Sequence, residues 1–173
     1  ENVLVVCFAM HGFEDNWAYD GKALVYSADK LREFLQSSSL PALHNWSVYV
    51  LPCLNPDGLQ SGWTNNGPGR CTTTYLSGGK LISGKGIDMN RCFPTRFKSL
   101  SSSRNYTTGT PMACLVARAL SSFIQQVRGS KVNVLIDIHG WLQQTITTSS
   151  RIKSALQANF SSNRLPATTA AVV

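Results

Sequence analysis

Two short apolar segments, each ending near a histidine, constrain this chain more than any other feature. One is Asn2–Phe8, which leads to His11, and the other is Val132–Ile138, which is followed directly by His139. Continuous runs of aliphatic residues of this length are typical of strands buried on both faces, as in parallel sheets. The pattern therefore predicts two buried strands that each deliver a histidine at the carboxyl end.

Two sequence segments that lie between these strands show the periodicity of helices. Apolar residues recur at helical spacing from about Asp20 to Gln36, which predicts an amphipathic helix. A second helix is predicted to begin at Thr110 as N-cap with Pro111 in its first turn, and to end at Gly129. The remaining predicted elements are a strand at 46–51 and a last helix at about 150–160.

The order of these elements predicts an α/β fold. Strand, helix, strand, long loop, helix and strand favour a mostly parallel or mixed twisted sheet that is flanked by helices. A chain of 173 residues with 43% hydrophobic content fits one domain over residues 1–173, here incomplete at both ends. Sites in such sheets lie outside the carboxyl ends of the strands, where His11 and His139 are expected.

The segment 55–109 lacks this regularity and is rich in Gly, Asn, Ser and Thr. Loops of this length in compact domains are usually functional. Two short runs on either side of Gly78 and Gly79 predict a small hairpin.

The net charge and its distribution limit the classes of binding partner that are expected. The net charge is +7 and the pI is about 9.4, but the basic residues are scattered and form no run. We interpret most of this charge as solvated surface, with affinity for carboxylate substrates as the second interpretation. Without a recognition element, nucleic acid is not expected as a partner. No segment is long enough to span a membrane, so no membrane partner is expected either.

His11 and Glu14 are spaced i, i+3, so both side chains can point at one ion within a turn. Together with His139 they form two imidazoles and one carboxylate, the ligand set of a catalytic zinc with a fourth position open. In the simpler alternative, His11 bonds within the turn, Glu14 caps a helix, and His139 is structural. The third histidine, His44, is interpreted as a surface or edge residue.

Two loop motifs follow. Asn55-Pro-Asp-Gly58 consists of residues that favour turns. In the segment Gly86–Pro94, Asn90 and Arg91 are adjacent, and a guanidinium beside an amide suits a carboxylate ligand. Alternatively, Arg91 is a surface residue that pairs with a nearby acid such as Asp88.

Four motifs in this order, His11–Glu14, Asn55–Gly58, Gly86–Pro94 and Ile136–Gly140, resemble the zinc carboxypeptidases of the carboxypeptidase A type, bacterial members in particular. The resemblance covers about residues 3–140. It implies a zinc-dependent metallocarboxypeptidase that hydrolyses the C-terminal bond of peptides or peptidoglycan stem peptides. A secreted or cell-envelope location is favoured, and the oligomeric state stays open.

The resemblance also assigns roles. It implies that His11, Glu14 and His139 bind Zn2+ and that Asn90 and Arg91 hold the terminal carboxylate of the substrate. The family has a further arginine that polarises the scissile carbonyl, and this catalytic role falls to Arg70, the only arginine between the two loop motifs. Lys80 and Lys85 are the alternative cations. Asp137 is expected to support His139 from the second coordination sphere or to be structural.

The chain departs from the family pattern in two ways. After His139 there is no Asp, Glu or Tyr, whereas the family places its general-base glutamate and a tyrosine there. The chain is therefore either a fragment of a longer enzyme, which we favour, or a non-catalytic zinc-containing relative that binds peptides. Cys92 also replaces an asparagine, and we hypothesise a disulfide with Cys71. Cys7, Cys53 and Cys114 lie in apolar segments and are expected to be core residues.

Overall fold

The computed structural model describes residues 1–12, 20–61, 72–77, 80–101, 106–139, 145–147, 154 and 167–169. The chain divides into two compact units, Glu1–His139 and Gly140–Val173. The elements of the first unit are β1 (Asn2–Phe8), α1 (Asp20–Ser37), β2 (Trp46–Leu51), α2 (Pro56–Ser61), β3 (Thr72–Ser77), β4 (Lys80–Ile87), α3 (Leu115–Val127) and β5 (Asn133–Ile138).

The second unit contains β6 (Thr145–Thr147) and β7 (Ala167–Thr169), which pair in parallel. The helix predicted at about 150–160 lies largely outside the described residues. The expectation of a single domain stays a prediction.

A three-stranded parallel sheet organises the first unit, with β1 between β2 and β5. Near the carboxyl end of β1, Cys7 lies opposite Leu51 on one side and Asp137 on the other. All three strands therefore end at the same edge of the sheet. The α/β prediction is confirmed, and so are the strands predicted at 2–8 and 46–51.

Alternate side chains of β1 enter two different hydrophobic clusters, as the period of two of a strand requires. Val3, Val5 and Cys7 pack with Ala117 and Leu120 of α3 on one face. On the other face, residues of β1 pack against α1; these are Val6 and Phe8 with Leu24, Ala28 and Leu31. Helices thus cover both faces of β1, which explains why its sequence is apolar without interruption.

The start of α3 was predicted wrongly. Thr110 lies in a bend and Pro111 in a turn rather than in a helix, and α3 begins only at Leu115 with Cys114 as its N-cap residue. Met112 adopts a positive φ of 57°. A left-handed residue cannot continue an α-helix, so the good N-cap and Pro signals at 110–111 do not start one.

The long loop contains more structure than its composition indicated. The predicted hairpin is present as β3 and β4, which pair antiparallel. Asn55-Pro-Asp-Gly58 is more than a turn, because α2 begins at Pro56 and Asn55 Oδ1 accepts a hydrogen bond of 3.0 Å from Gly58 N–H. A short 3-10 helix, Met89–Arg91, follows β4 after Asp88.

None of the helices described above combines the length and the hydrophobicity that a membrane crossing requires.

Candidate metal centre

The shared carboxyl edge of β1 and β5 brings His11 and His139 together. Their ring centroids lie 5.4 Å apart and the ring planes meet at 64°. The two residues are far apart in the sequence, so their contact depends on the parallel pairing of the two strands. The structure therefore places these two imidazole rings side by side, although it does not by itself assign them a function.

The backbone between β1 and His11 is fixed by the segment after β2. Phe8 O accepts a hydrogen bond of 3.0 Å from Leu54 N–H, and Ala9 O accepts one of 3.1 Å from Asn55 N–H. Ala9 is fully buried and has a positive φ of 50°, which turns the chain sharply at the end of the strand. His11 follows this turn and is only 2% exposed.

A buried carboxylate orients the first histidine. Nε2 of His11 lies 2.9 Å from Oδ1 of Asp88, and both side chains are almost completely excluded from solvent. Because an ionised carboxylate only accepts hydrogen bonds, Nε2 of His11 carries the proton. The lone pair that binds a metal is then on Nδ1.

Asp88 is itself held in place by the surrounding backbone. Its Oδ1 accepts a second hydrogen bond, of 3.0 Å, from Asn90 N–H. Its own N–H donates to Tyr106 O at 2.8 Å. The carboxylate is therefore positioned before any metal binds, as a ligand-orienting group must be.

The second histidine has an equivalent partner. Nε2 of His139 lies 2.6 Å from Oδ2 of Asp137, and both side chains are about one-quarter exposed. The buried Oδ1 of Asp137 has no hydrogen-bond partner among the described residues. A buried carboxylate with so few hydrogen-bond donors around it interacts strongly with the donor that it has, which here is the ring N–H of His139. Asp137 thus occupies the supporting position predicted for it.

This arrangement fits a zinc ion. With Zn–N distances of about 2.1 Å and tetrahedral angles, the centroids of two bound imidazoles lie about 5 Å apart, close to the observed separation. Both Nε2 atoms face carboxylates, which leaves the Nδ1 atoms as the metal-binding nitrogens of both rings. The two carboxylates also place negative charge beside the position of a divalent cation.

Two predicted site residues, Glu14 and Arg70, lie outside the described residues, and so do the side chains of Lys80 and Lys85. Within the described part of the chain, no group of three metal-binding side chains occurs. Of the three predicted zinc ligands, the structure describes His11 and His139.

Asn90 and Arg91 lie on the short 3-10 helix directly after Asp88 and are both exposed. Nη1 of Arg91 donates a hydrogen bond of 3.2 Å to the carbonyl oxygen of Asn90. The alternative in which Arg91 pairs with Asp88 is wrong, because the Asp88 carboxylate faces His11 instead. One tight turn thus carries both the residue that orients His11 and the two candidate carboxylate-binding residues.

The structure does not support a disulfide between Cys92 and Cys71. Cys92 is a free, fully buried thiol, and its Sγ lies 3.2 Å from the carbonyl oxygen of Asp88. A hydrogen bond to Cys114, together with burial, raises the pKa of the Cys92 thiol. Cys92 is therefore a core residue beneath the Asn90–Arg91 turn, and Cys71 lies outside the described residues.

The other cysteine and histidine predictions agree better with the structure. Cys7 and Cys114 are fully buried and Cys53 is half-buried. His44 is exposed at the end of the short 3-10 helix Pro41–Leu43, where its ring contacts Asn45.

Asp88 is the site residue whose position the sequence did not reveal. It was considered only as a surface partner of Arg91, yet it is completely buried. The available signal was its place between Ile87 and Met89, since an acidic residue flanked by large apolar side chains requires a specific partner when it is buried.

Three comparisons show which known proteins this chain is similar to. A family model described as zinc carboxypeptidase matches residues 16–169. Bacteriocin BCN5 of Clostridium perfringens is 42% identical over 142 residues, which cover 81% of this chain and 14% of that protein. The chain thus spans about one-seventh of the length of this relative.

Among solved structures, thrombin activatable fibrinolysis inhibitor shares the fold, with a TM-score of 0.67 at 16% sequence identity. That match covers 98% of this chain and 47% of the other chain. The family match extends over most of the sequence and includes Asn90, Arg91 and His139. The chain belongs to the zinc carboxypeptidase family.

Proposed function

We propose that this chain is part of a zinc-dependent metallocarboxypeptidase that removes the C-terminal residue of peptides. The single observation that carries the proposal is the convergence of His11 and His139, each with its Nε2 held by a buried or half-buried carboxylate. Structural histidines rarely need two separate carboxylates to fix the tautomer of both rings, whereas metal ligands typically have them.

The residues that would hold zinc are His11, His139 and Glu14. When bound, zinc lowers the pKa of a coordinated water and polarises a carbonyl group. Asp88 and Asp137 keep the two imidazoles in the tautomer and orientation that ligation requires.

Substrate binding is assigned to the turn that follows Asp88. Asn90 and Arg91 would bind the terminal carboxylate of the peptide, and this contact would restrict cleavage to the last bond. Arg70 would stabilise negative charge on the scissile carbonyl oxygen. We assign the role of general base to none of the described residues.

Peptides and peptidoglycan stem peptides both satisfy this scheme, since both end in a free carboxylate. Peptidoglycan stem peptides are met at the cell envelope or by secreted proteins, so this location is part of the proposal.

The test compares an N-blocked peptide that has a free C-terminus with its C-terminal amide. The intact protein should release the terminal amino acid only from the free acid, because the amide removes the charge that Arg91 would bind. A chelator should abolish release and added zinc should restore it. His44→Ala is the control variant, since His44 is exposed and lies in the loop before β2. Chelator-resistant release, or equal cleavage of the amide, would refute the proposal.

A second candidate is a zinc-containing peptide-binding protein without hydrolytic activity. The described residues fit it equally, because His11 and His139 would hold the ion and the exposed Asn90 and Arg91 would hold a peptide terminus whether or not a bond is cleaved. Calorimetry with a short peptide beside the release assay separates the two functions, because the binding protein would bind the free acid in preference to the amide and release no amino acid.

A further inference from the structure

A cationic cavity adjoins the proposed carboxylate clamp. It has a volume of about 240 Å³, and its lining includes three cations, one amide and two aromatic side chains. These residues are Asn90, Arg91, Phe93, Arg96, Phe97 and Lys98. We name this cavity the clamp pocket.

Among the residues that the structure describes, no carboxylate compensates the charge of the clamp pocket. Its lining contains no carboxylate, and none of the described carboxylates forms an ion pair with Arg91, Arg96 or Lys98. By contrast, basic residues on α1 are paired, as Lys30 is with Glu33 at 2.7 Å. Three cations around one concave surface attract an anion.

The backbone at this position is held in a costly conformation. Arg96 has a positive φ of 52°, within a turn closed by a hydrogen bond of 3.2 Å from Phe97 N–H to Pro94 O. A long side chain in the left-handed region costs roughly 1–2 kcal/mol compared with the right-handed one. Such strain is concentrated at functional sites, where surrounding structure holds a side chain in a required position.

We propose that the clamp pocket binds a second carboxylate on the terminal residue of the substrate. The inference rests on the proposed function, because it assumes that Asn90 and Arg91 bind the terminal carboxylate. Arg96 and Lys98 then face the side chain of that residue, and their charges favour glutamate, aspartate or another residue with two carboxylates. The volume is below the usual range for drug-sized ligands and suits one amino-acid residue.

The two aromatic residues in the lining also suit a glutamate side chain. Phe93 and Phe97 offer apolar surface that the methylene groups of a glutamate side chain would contact, while the carboxylate reaches the cations. A glutamine side chain has the same shape without the charge. Comparing glutamate with glutamine therefore isolates the electrostatic contribution of the pocket.

The test uses two N-blocked peptides that differ only in a C-terminal Glu or Gln. With the intact protein, kcat/KM should be about tenfold higher for the Glu peptide, as two exposed ion pairs allow. In Arg96→Gln/Lys98→Gln the Glu-to-Gln ratio should fall to about one. Raising the salt concentration should reduce the ratio of the unmodified protein, because exposed charges are screened.

The matched control is Arg128→Gln/Lys131→Gln, which removes the same net charge. Both residues precede the amino end of β5, whereas His139 follows its carboxyl end. This control variant should keep the full Glu-to-Gln ratio. If both double variants lower the ratio equally, the preference comes from the overall charge of the protein, and the proposal is wrong.

A binding measurement separates this inference from the proposed function. Calorimetry with N-acetyl-glutamate and N-acetyl-glutamine, both with free terminal carboxylates, reports on the clamp pocket without any hydrolysis. Tighter binding of the glutamate compound without peptide cleavage would support the pocket and contradict the peptidase. Cleavage of both peptides at equal rates, with equal binding of the two probes, would overturn the pocket and leave the peptidase intact.

Discussion

Replacing Asp88 with asparagine tests how a single buried charge controls the metal centre. Asp88→Asn keeps the shape of the side chain and removes its charge. Oδ1 should stay in place as an acceptor, because both His11 Nε2–H and Asn90 N–H donate to that atom. The variant therefore isolates the charge from the geometry, which a change to alanine would not do.

The expected loss follows from the environment of this pair. Both side chains of the His11–Asp88 contact are at most 1% exposed, so water does not screen it. Carboxylates that support metal-binding histidines typically contribute about 10- to 100-fold to metal affinity, or roughly 1.4–2.7 kcal/mol. We expect Asp88→Asn to lie at the upper end of this range. Asp137→Asn should lie lower, because that contact is one-quarter exposed.

Zinc affinity is measured by titration against a chelating dye, and circular dichroism verifies that each variant is folded. Asp29→Asn is the matched control, since the Asp29 side chain is half-exposed on α1 and pairs with Arg32 at 3.4 Å. It should bind zinc as tightly as the unmodified protein. If folded Asp88→Asn bound zinc within about threefold of this control, the carboxylate would have no role in metal binding and the reasoning would be refuted.

Three further predictions follow from other parts of the structure. Gly21→Ala should destabilise the protein by about 1–3 kcal/mol in denaturant unfolding, since the new Cβ would collide with the carbonyl oxygen of Gly12; an unchanged midpoint would contradict this. Burial, and secondarily the charge of Asp137, raises the pKa of the Cys7 thiol from 9.0 to about 12. The contribution of this thiol to stability should therefore be complete below pH 9 and be lost as the pH rises towards 12. Cys7→Ala should lose less stability over this range. Identical stability profiles for the variant and the unmodified protein would contradict the prediction. Arg91→Lys should raise KM about tenfold with little change in kcat, because lysine cannot form the bidentate contact, and a fall in kcat alone would argue against a binding role.

The sequence predicted the framework of the site because that framework depends on local patterns. The apolar runs at 2–8 and 132–138 are long enough to identify buried strands, and parallel pairing then brings His11 and His139 to one edge. The helix predicted from Asp20 to Gln36 was also confirmed, since its apolar residues recur without interruption. Periodicity is a strong signal when one face of an element is buried.

Features that depend on tertiary contacts were not predictable in the same way. The start of α3 was placed too early, because nothing in the sequence around Pro111 indicates that Met112 is left-handed. The burial of Asp88 was not predicted, because it depends on a partner 77 positions away in the chain. Cys92 was assigned to a bridge, because its loop-like sequence hides the core beneath it.

The central claim is that His11 and His139 hold one zinc ion, and metal stoichiometry tests it most directly. After dialysis against zinc, elemental analysis should find one tightly bound ion per chain in the unmodified protein and in His44→Ala. The double variant His11→Ala/His139→Ala should bind none while it remains folded by circular dichroism. A full equivalent of zinc in that double variant would contradict the account.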